Sequence, residues 1–115
     1  MTDRPRFSPK HRHLLLFAPS ASDDRLARME RALEEHATAV SDRDLVVHRA
    51  TDGPDADSAS LRDSWDVPAD AFCVILVGKD GGEKLRRYEP VDLQEIFALI
   101  DAMPMRRREM RERGR

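Results

Sequence analysis

One thiol, four imidazoles and a pair of serines are the side chains here whose types and spacing could support nucleophilic or metal chemistry. Cys73 is the only cysteine. A monomer therefore holds no intrachain disulfide, no CxxC pair and no cysteine-based zinc site. It sits within Phe72-Cys73-Val74-Ile75-Leu76-Val77, the most apolar run of the chain. Burial there raises a thiol's pKa and shuts out oxidants, so an inert core cysteine is expected rather than a redox sensor. Ser20 and Ser22 precede a helical stretch, where free N–H groups can bind an anion. A serine nucleophile would need a histidine base, yet His36 lies a full helix away and His48 on another strand. With Asp23 and Asp24 beside them, Ser20 or Ser22 reads as a helix cap. His11 and His13 place two imidazoles on one side of an extended segment, half of a metal site. No third ligand follows at a fitting spacing, so a solvated pair and no metal are expected.

Two charged clusters remain. Asp52, Asp55 and Asp57 lie in an acidic loop, but the EF-hand spacing fails: Gly53 is second and Asp63 twelfth. Lys79, Lys84, Arg86 and Arg87 surround a glycine-rich turn, and Arg106, Arg107 and Arg108 follow in the C-terminal segment. Together they could hold a phosphate or an acidic partner, against the plainer reading of charges that protect an edge strand. The candidate anion- or partner-binding residues are thus Ser20, Ser22, Lys79, Lys84, Arg86, Arg106 and Arg107. Neither phosphate-loop nor dinucleotide glycine motif is present, and no cofactor is expected.

These residues need elements to carry them. The length of 115 residues suits one small domain. Aromatics are 5%, so the core must be aliphatic. Leu14 to Ala18 is a continuous apolar run ended by Pro19, as in a strand buried on both faces. Leu26, Met29, Leu33 and Val40 make one apolar stripe on a helix expected to run to about Val40. Leu45 to Ala50 reads as a second strand, Ser58 to Trp65 as a short helix, and Phe72 to Val77 as the strongest strand. Asp80-Gly81 supplies a hairpin turn into a polar edge strand at 83–88. Asp92 and Glu95 have capping-box spacing ahead of a last helix that Pro104 stops or kinks. The order β-α-β-α-β-β-α implies parallel neighbours at the front, an antiparallel final pair, and a four-stranded mixed sheet with helices on both faces. Residues 1–12 are expected as a flexible arm, 13–104 as the domain, and 105–115 as an arginine-rich extension.

This order, with Phe17-Ala18-Pro19 leaving strand one and Val77-Gly78-Lys79-Asp80-Gly81 closing strand three, resembles the thioredoxin-like fold. More closely, four segments resemble an uncharacterised bacterial family, a domain of unknown function related to the C-terminal domain of sushi-repeat-containing proteins. They are Leu14 to Ser20, Arg43 to Val47, Gly78 to Arg86 and Asp101 to Arg107. Redox members of the fold carry a cysteine pair just after strand one and a cis-proline before strand three. The matching positions here are near Ala21 and Asp24, and near Ala71. A low-pKa thiolate is what attacks a disulfide, and neither Ala21 nor Asp24 can supply one.

The resemblance thus implies a thioredoxin-like domain without the disulfide-exchange machinery, read as a non-catalytic binding or interaction module. Two alternatives stay open: an atypical thiol or peroxide oxidoreductase, and nucleic-acid binding through the arginine-rich tail. That tail holds six arginines against Glu109 and Glu112, but it has no aromatic for base stacking. A formal net charge of −2 also argues against nucleic acid. The expected partner is a protein or a small anionic ligand. No apolar run is long enough for a membrane span or signal core, so a cytoplasmic protein is expected. The residues specify no oligomeric state.

Overall fold

In a computed structural model of the chain, the described residues are 8–51 and 56–112, without the side chains at 56 and 57. Most of the expected arm and the acidic positions Asp52 and Asp55 lie outside them. Nine elements follow in order: β1 (Arg12–Phe17), α1 (Asp24–Glu35), α2 (Ala37–Asp42), β2 (Leu45–Ala50), α3 (Ala56–Ser64), β3 (Cys73–Val77), β4 (Glu83–Arg87), α4 (Leu93–Asp101) and α5 (Pro104–Glu112). The strands form one sheet in the order β2-β1-β3-β4.

β1 and β3 lie at the centre, and every residue of both is buried. Their unbroken apolar runs follow from burial on two faces. Leu14 and Leu16 face Val74, Leu76, Leu85 and the stripes of α1 and α4 (Leu26, Met29, Ile96, Ile100). Leu15 and Phe17 face the other way, onto Trp65, Val67, Cys73 and Ile75 under α3. Helices thus cover both faces of a mixed α/β sheet, as expected.

The front of the sheet departs from expectation at one step. β1 and β2 are parallel, from Arg12 opposite Leu45 to Phe17 opposite Ala50. β3, however, runs antiparallel to β1, with Phe17 opposite Cys73. β2 ends and β3 starts at the same end of the sheet, so the segment through α3 arches over one face and returns. The pattern of apolar residues specifies burial but not strand direction.

Local chemistry explains two further differences. The first helix ends at Glu35 instead of Val40, because His36 leaves helical geometry (φ −120°, ψ 31°) and its Nδ1 hydrogen-bonds the Ala32 carbonyl at 2.9 Å. Asp23, not Ser20 or Ser22, caps α1: its Oδ1 accepts from the N–H groups of Arg25 (2.8 Å) and Leu26 (3.4 Å). Of the two outcomes expected at Pro104, a stop and a kink, the structure has the stop. α4 ends at Asp101 and Pro104 opens α5, at the position where a missing N–H costs nothing. The hairpin turn forms as expected, with Gly81 at φ 83°. Asp92 caps α4 by accepting from the Gln94 N–H at 2.9 Å. Among the described residues no helix is long and apolar enough to cross a membrane.

Asp23 gives a first prediction. A side-chain hydrogen bond from Arg25 chiefly lowers its pKa, to about 2. A depressed carboxyl contributes stability above its ordinary value of 3.8 and loses it as pH falls through about 2. Asp23→Ala is expected to lower the melting temperature at pH about 7, and Asp23→Asn to retain most of it. Equal loss in both variants would show that the cap does not depend on this side-chain oxygen.

Candidate functional site

The two ends of β1 carry different chemistry. At its C-terminal end the chain leaves through Ala18 and Pro19 and turns into α1. The α1 N-terminus is already filled by an internal anion, because Asp23 accepts its free N–H groups and pairs with Arg25 at 2.7 Å. Ser20 Oγ and Ser22 Oγ lie 3.1 Å from each other. Arg25 in turn stacks over Phe72, 4.8 Å from the ring centroid.

Arg62 closes this end from the α3 side. It is 7% exposed. Its Nη2 donates to the Ala18 carbonyl (2.6 Å), and Nη1 to the carbonyls of Pro68 (2.5 Å) and Ala71 (3.1 Å). The guanidinium lies over Phe17, 5.6 Å from its centroid. One planar cation thereby ties the end of β1 to the loop that enters β3. Burial lowers the pKa of Arg62, yet a guanidinium keeps its charge.

Cys73 is the first residue of β3 after that loop and is fully buried. Burial pushes its thiol up to about 11. Arg62 and Arg86 pull the other way but do not reverse the effect.

At the opposite end of β1, about 20 Å away by strand rise, a buried ion network docks α5. Arg12 is 1% exposed. Its two terminal nitrogens fork onto the Glu109 carboxylate, both at 3.2 Å, and Nη1 also donates to the Arg43 carbonyl at 3.0 Å. Lys79 Nζ joins Glu109 (2.6 Å) to Asp44 (2.9 Å). Burial alone would raise the pKa of Glu109, but the hydrogen bonds from Lys79 and Arg12 outweigh it and the net shift is downward. Arg106, 3% exposed, reaches Asp42 (2.6 Å) and Asp101 (3.2 Å).

The candidate residues read from the sequence therefore do not gather. Ser20 and Ser22 lie at one end of β1, Lys79 and Arg106 at the other. Lys84 pairs with Asp80 at 2.8 Å. Arg86 pairs with Glu83 at 2.8 Å and donates to the Trp65 carbonyl at 2.7 Å. Arg107 is exposed on α5. The basic cluster expected around the hairpin is neutralised locally, because each cation has found an acid or a carbonyl within its own fold neighbourhood. The C-terminal extension is a docked helix through Glu112.

The histidines correct another expectation. His13 is 3% exposed inside β1, not a solvated residue ahead of it. Its Nε2 lies 3.0 Å from the Ser8 carbonyl and its Nδ1 2.9 Å from His48 Nε2. A carbonyl only accepts, so His13 Nε2 carries a proton; in the neutral ring Nδ1 then accepts from His48. Parallel pairing of β1 with β2, invisible to local spacing, brings the two rings together. Among the described residues no three metal-ligating side chains gather. Burial, then the neighbouring His13, lowers the His48 pKa below its ordinary 6.5. A depressed histidine means that the unfolded chain takes up the proton first, so stability should fall as pH drops below about 6.5. Urea titrations of wild type and His48→Gln should diverge there; parallel pH profiles would show that the pair contributes nothing.

Between α1, α2 and the edge strand β2 lies a groove of about 510 Å³. Leu33, Val40, Leu45 and Val47 form its apolar wall, and Glu30, Glu34 and Asp44 stand at its rim. Sequence reasoning passed over it, because no single motif carries it.

A family model for a domain of unknown function, DUF4174, matches residues 5–109. The chain belongs to the DUF4174 family. No curated protein matches it in sequence. In three dimensions this DUF4174 chain is similar to a reduced 2-Cys peroxiredoxin of Plasmodium vivax, with a TM-score of 0.72 at 15% identity over 89% of this chain and 70% of that one. Thioredoxin peroxidase I of Plasmodium yoelii matches with a TM-score of 0.70 at 18% identity, over 89% and 78% of the two chains. Mycobacterium tuberculosis AhpC matches at 0.60 and 11%, over 82% and 73%. At these identities the likeness is one of fold, and the fold of this DUF4174 chain is thioredoxin-like.

Proposed function

We propose that this DUF4174 domain is a non-catalytic thioredoxin-fold binding module. The observation that carries the reading is the state of its thiol. Cys73 is 0% exposed and its pKa is about 11, so at neutral pH it is neither ionised nor within reach of a substrate. The structural neighbours include a protein described as a 2-Cys peroxiredoxin; one cysteine cannot supply such a pair. The α1 N-terminus, where an anionic sulfur would be stabilised, is held by the Asp23 carboxylate.

The competing reading, a thiol or peroxide oxidoreductase, makes a different demand. It requires peroxide consumption or insulin reduction that depends on Cys73. Wild type and Cys73→Ser are expected to give the same background rate in both assays. Turnover present in wild type and lost in Cys73→Ser would overturn the binding-module reading. In the folded protein, alkylation of Cys73 by iodoacetamide at pH about 8 should run at least about a hundredfold slower than in urea, since little thiolate forms and none is accessible.

A further inference from the structure

The two edges of the sheet are treated differently. β4 carries Glu83, Lys84, Arg86 and Arg87, and its pairing with β3 is irregular at Leu76/Val77. Such charges and irregularities keep an edge from pairing with another chain. β2, the opposite edge, reads Leu45-Val46-Val47-His48-Arg49-Ala50 and pairs with β1 in unbroken register. Val46 is 36% exposed, and the groove of about 510 Å³ runs alongside.

We propose that the β2 edge and its groove bind an extended segment of a partner protein, with apolar and basic residues among its groove-facing side chains, as a fifth strand. The proposal rests on the binding-module reading and adds the surface and the partner's chemistry. In such strand addition, backbone hydrogen bonds to the edge give affinity, while alternate side chains enter a pocket and set specificity. Here Leu33, Val40 and Val47 form the apolar surface for one set of side chains. The acidic residues line that same groove, so they set the charge of the same, groove-facing side chains. Glu30, Glu34 and Asp44 stand against Arg49 and His11. Arg49 is engaged by Glu30 at 2.6 Å and Asp44 by Lys79 at 2.9 Å. Glu34 is exposed and has no ion pair among the described residues. A lysine or arginine on the incoming strand would meet a net acidic rim. A second copy of this chain would instead set two acidic rims against each other, so charge complementarity favours a basic partner.

The test titrates the isotope-labelled full chain with a capped octapeptide whose groove-facing positions alternate valine and lysine, with threonine between them, followed by amide chemical shifts. Saturable shifts are expected across Leu45–Ala50 and the groove. The same peptide with glutamate in place of lysine should cause none. N-methylation of alternate backbone nitrogens in the basic peptide should weaken binding by at least about tenfold, through lost hydrogen bonds. Glu34→Lys should weaken it by about fivefold. Absence of shifts, shifts centred on β4, or equal binding of the acidic peptide would overturn the proposal. So would a wild-type dimer in sedimentation that Val46→Asp dissociates, since the occupant would then be a second copy. Peroxide turnover measured on the same samples keeps the two readings apart. Cys73-dependent turnover counts against the non-catalytic reading whatever the peptide does; missing shifts without turnover count against the β2 edge alone.

Discussion

Glu109→Ala is expected to destabilise the domain by about 3 kcal/mol, at the lower end of what breaking one partner of a buried ion pair costs. Glu109 is the carboxylate onto which Arg12 forks, and Arg12 is 1% exposed at the start of the central strand. Without it, Arg12 keeps the Arg43 carbonyl and no acid, while Lys79 keeps Asp44. A loss of that size lowers the melting temperature by on the order of 10–20 °C in a domain of this length. The double variant Arg12→Leu/Glu109→Leu should lie within about 1 kcal/mol of wild type, because it removes the stranded charge along with its partner. Urea denaturation checks both. The sign with pH is set by the carboxyl. Glu109 is shifted downward in the fold, so its contribution is complete above the ordinary 4.5 and is lost as pH falls further. The gap between wild type and Glu109→Ala should therefore close in acid. A single variant as stable as wild type at pH about 7 would mean that this pair does not hold α5.

Arg62→Ala should cost about 2 kcal/mol, for a different reason. The carbonyls of Ala18, Pro68 and Ala71 all accept from one guanidinium. Removing it takes a donor from the buried Ala18 carbonyl and the half-buried Ala71 carbonyl, at about 1 kcal/mol or more each, while the exposed Pro68 carbonyl keeps the Ala71 N–H at 3.1 Å. Arg62→Lys should restore only part of the loss, because a single ammonium does not reproduce a planar fork. The same variants offer a functional readout. If Arg62 seals the end of β1 above the thiol, Cys73 alkylation should accelerate in Arg62→Ala at a temperature where the variant is still folded. Unchanged stability together with unchanged alkylation would remove Arg62 from that role.

Both predictions concern arginines that sequence reading placed poorly. Arg12 stands among basic residues ahead of an apolar run, and nothing local distinguishes a buried strand residue from the end of an exposed arm. Its acceptor, Glu109, is 97 positions away. Arg62 follows Leu61 in a short helix with a weak apolar stripe, and its three acceptors are backbone carbonyls that no side-chain pattern announces. The β2 groove was illegible for a related reason. It exists only where the break at His36 sets α2 beside β2, and its rim draws on residues of α1, the turn after α2 and β2.

What the sequence by itself determined is the set of elements and their burial. Continuous apolar runs made β1 and β3 central, a single cysteine excluded a disulfide pair, and Asp80-Gly81 made the hairpin. These are local consequences of side-chain volume, periodicity and backbone freedom. Strand direction at β3, the docking of α5, the meeting of His13 with His48 and the pairing of nearly every candidate cation were decided only by the tertiary structure. They depend on which distant groups share a low-dielectric space, and long-range Coulomb and hydrogen-bond partners leave no period in the chain.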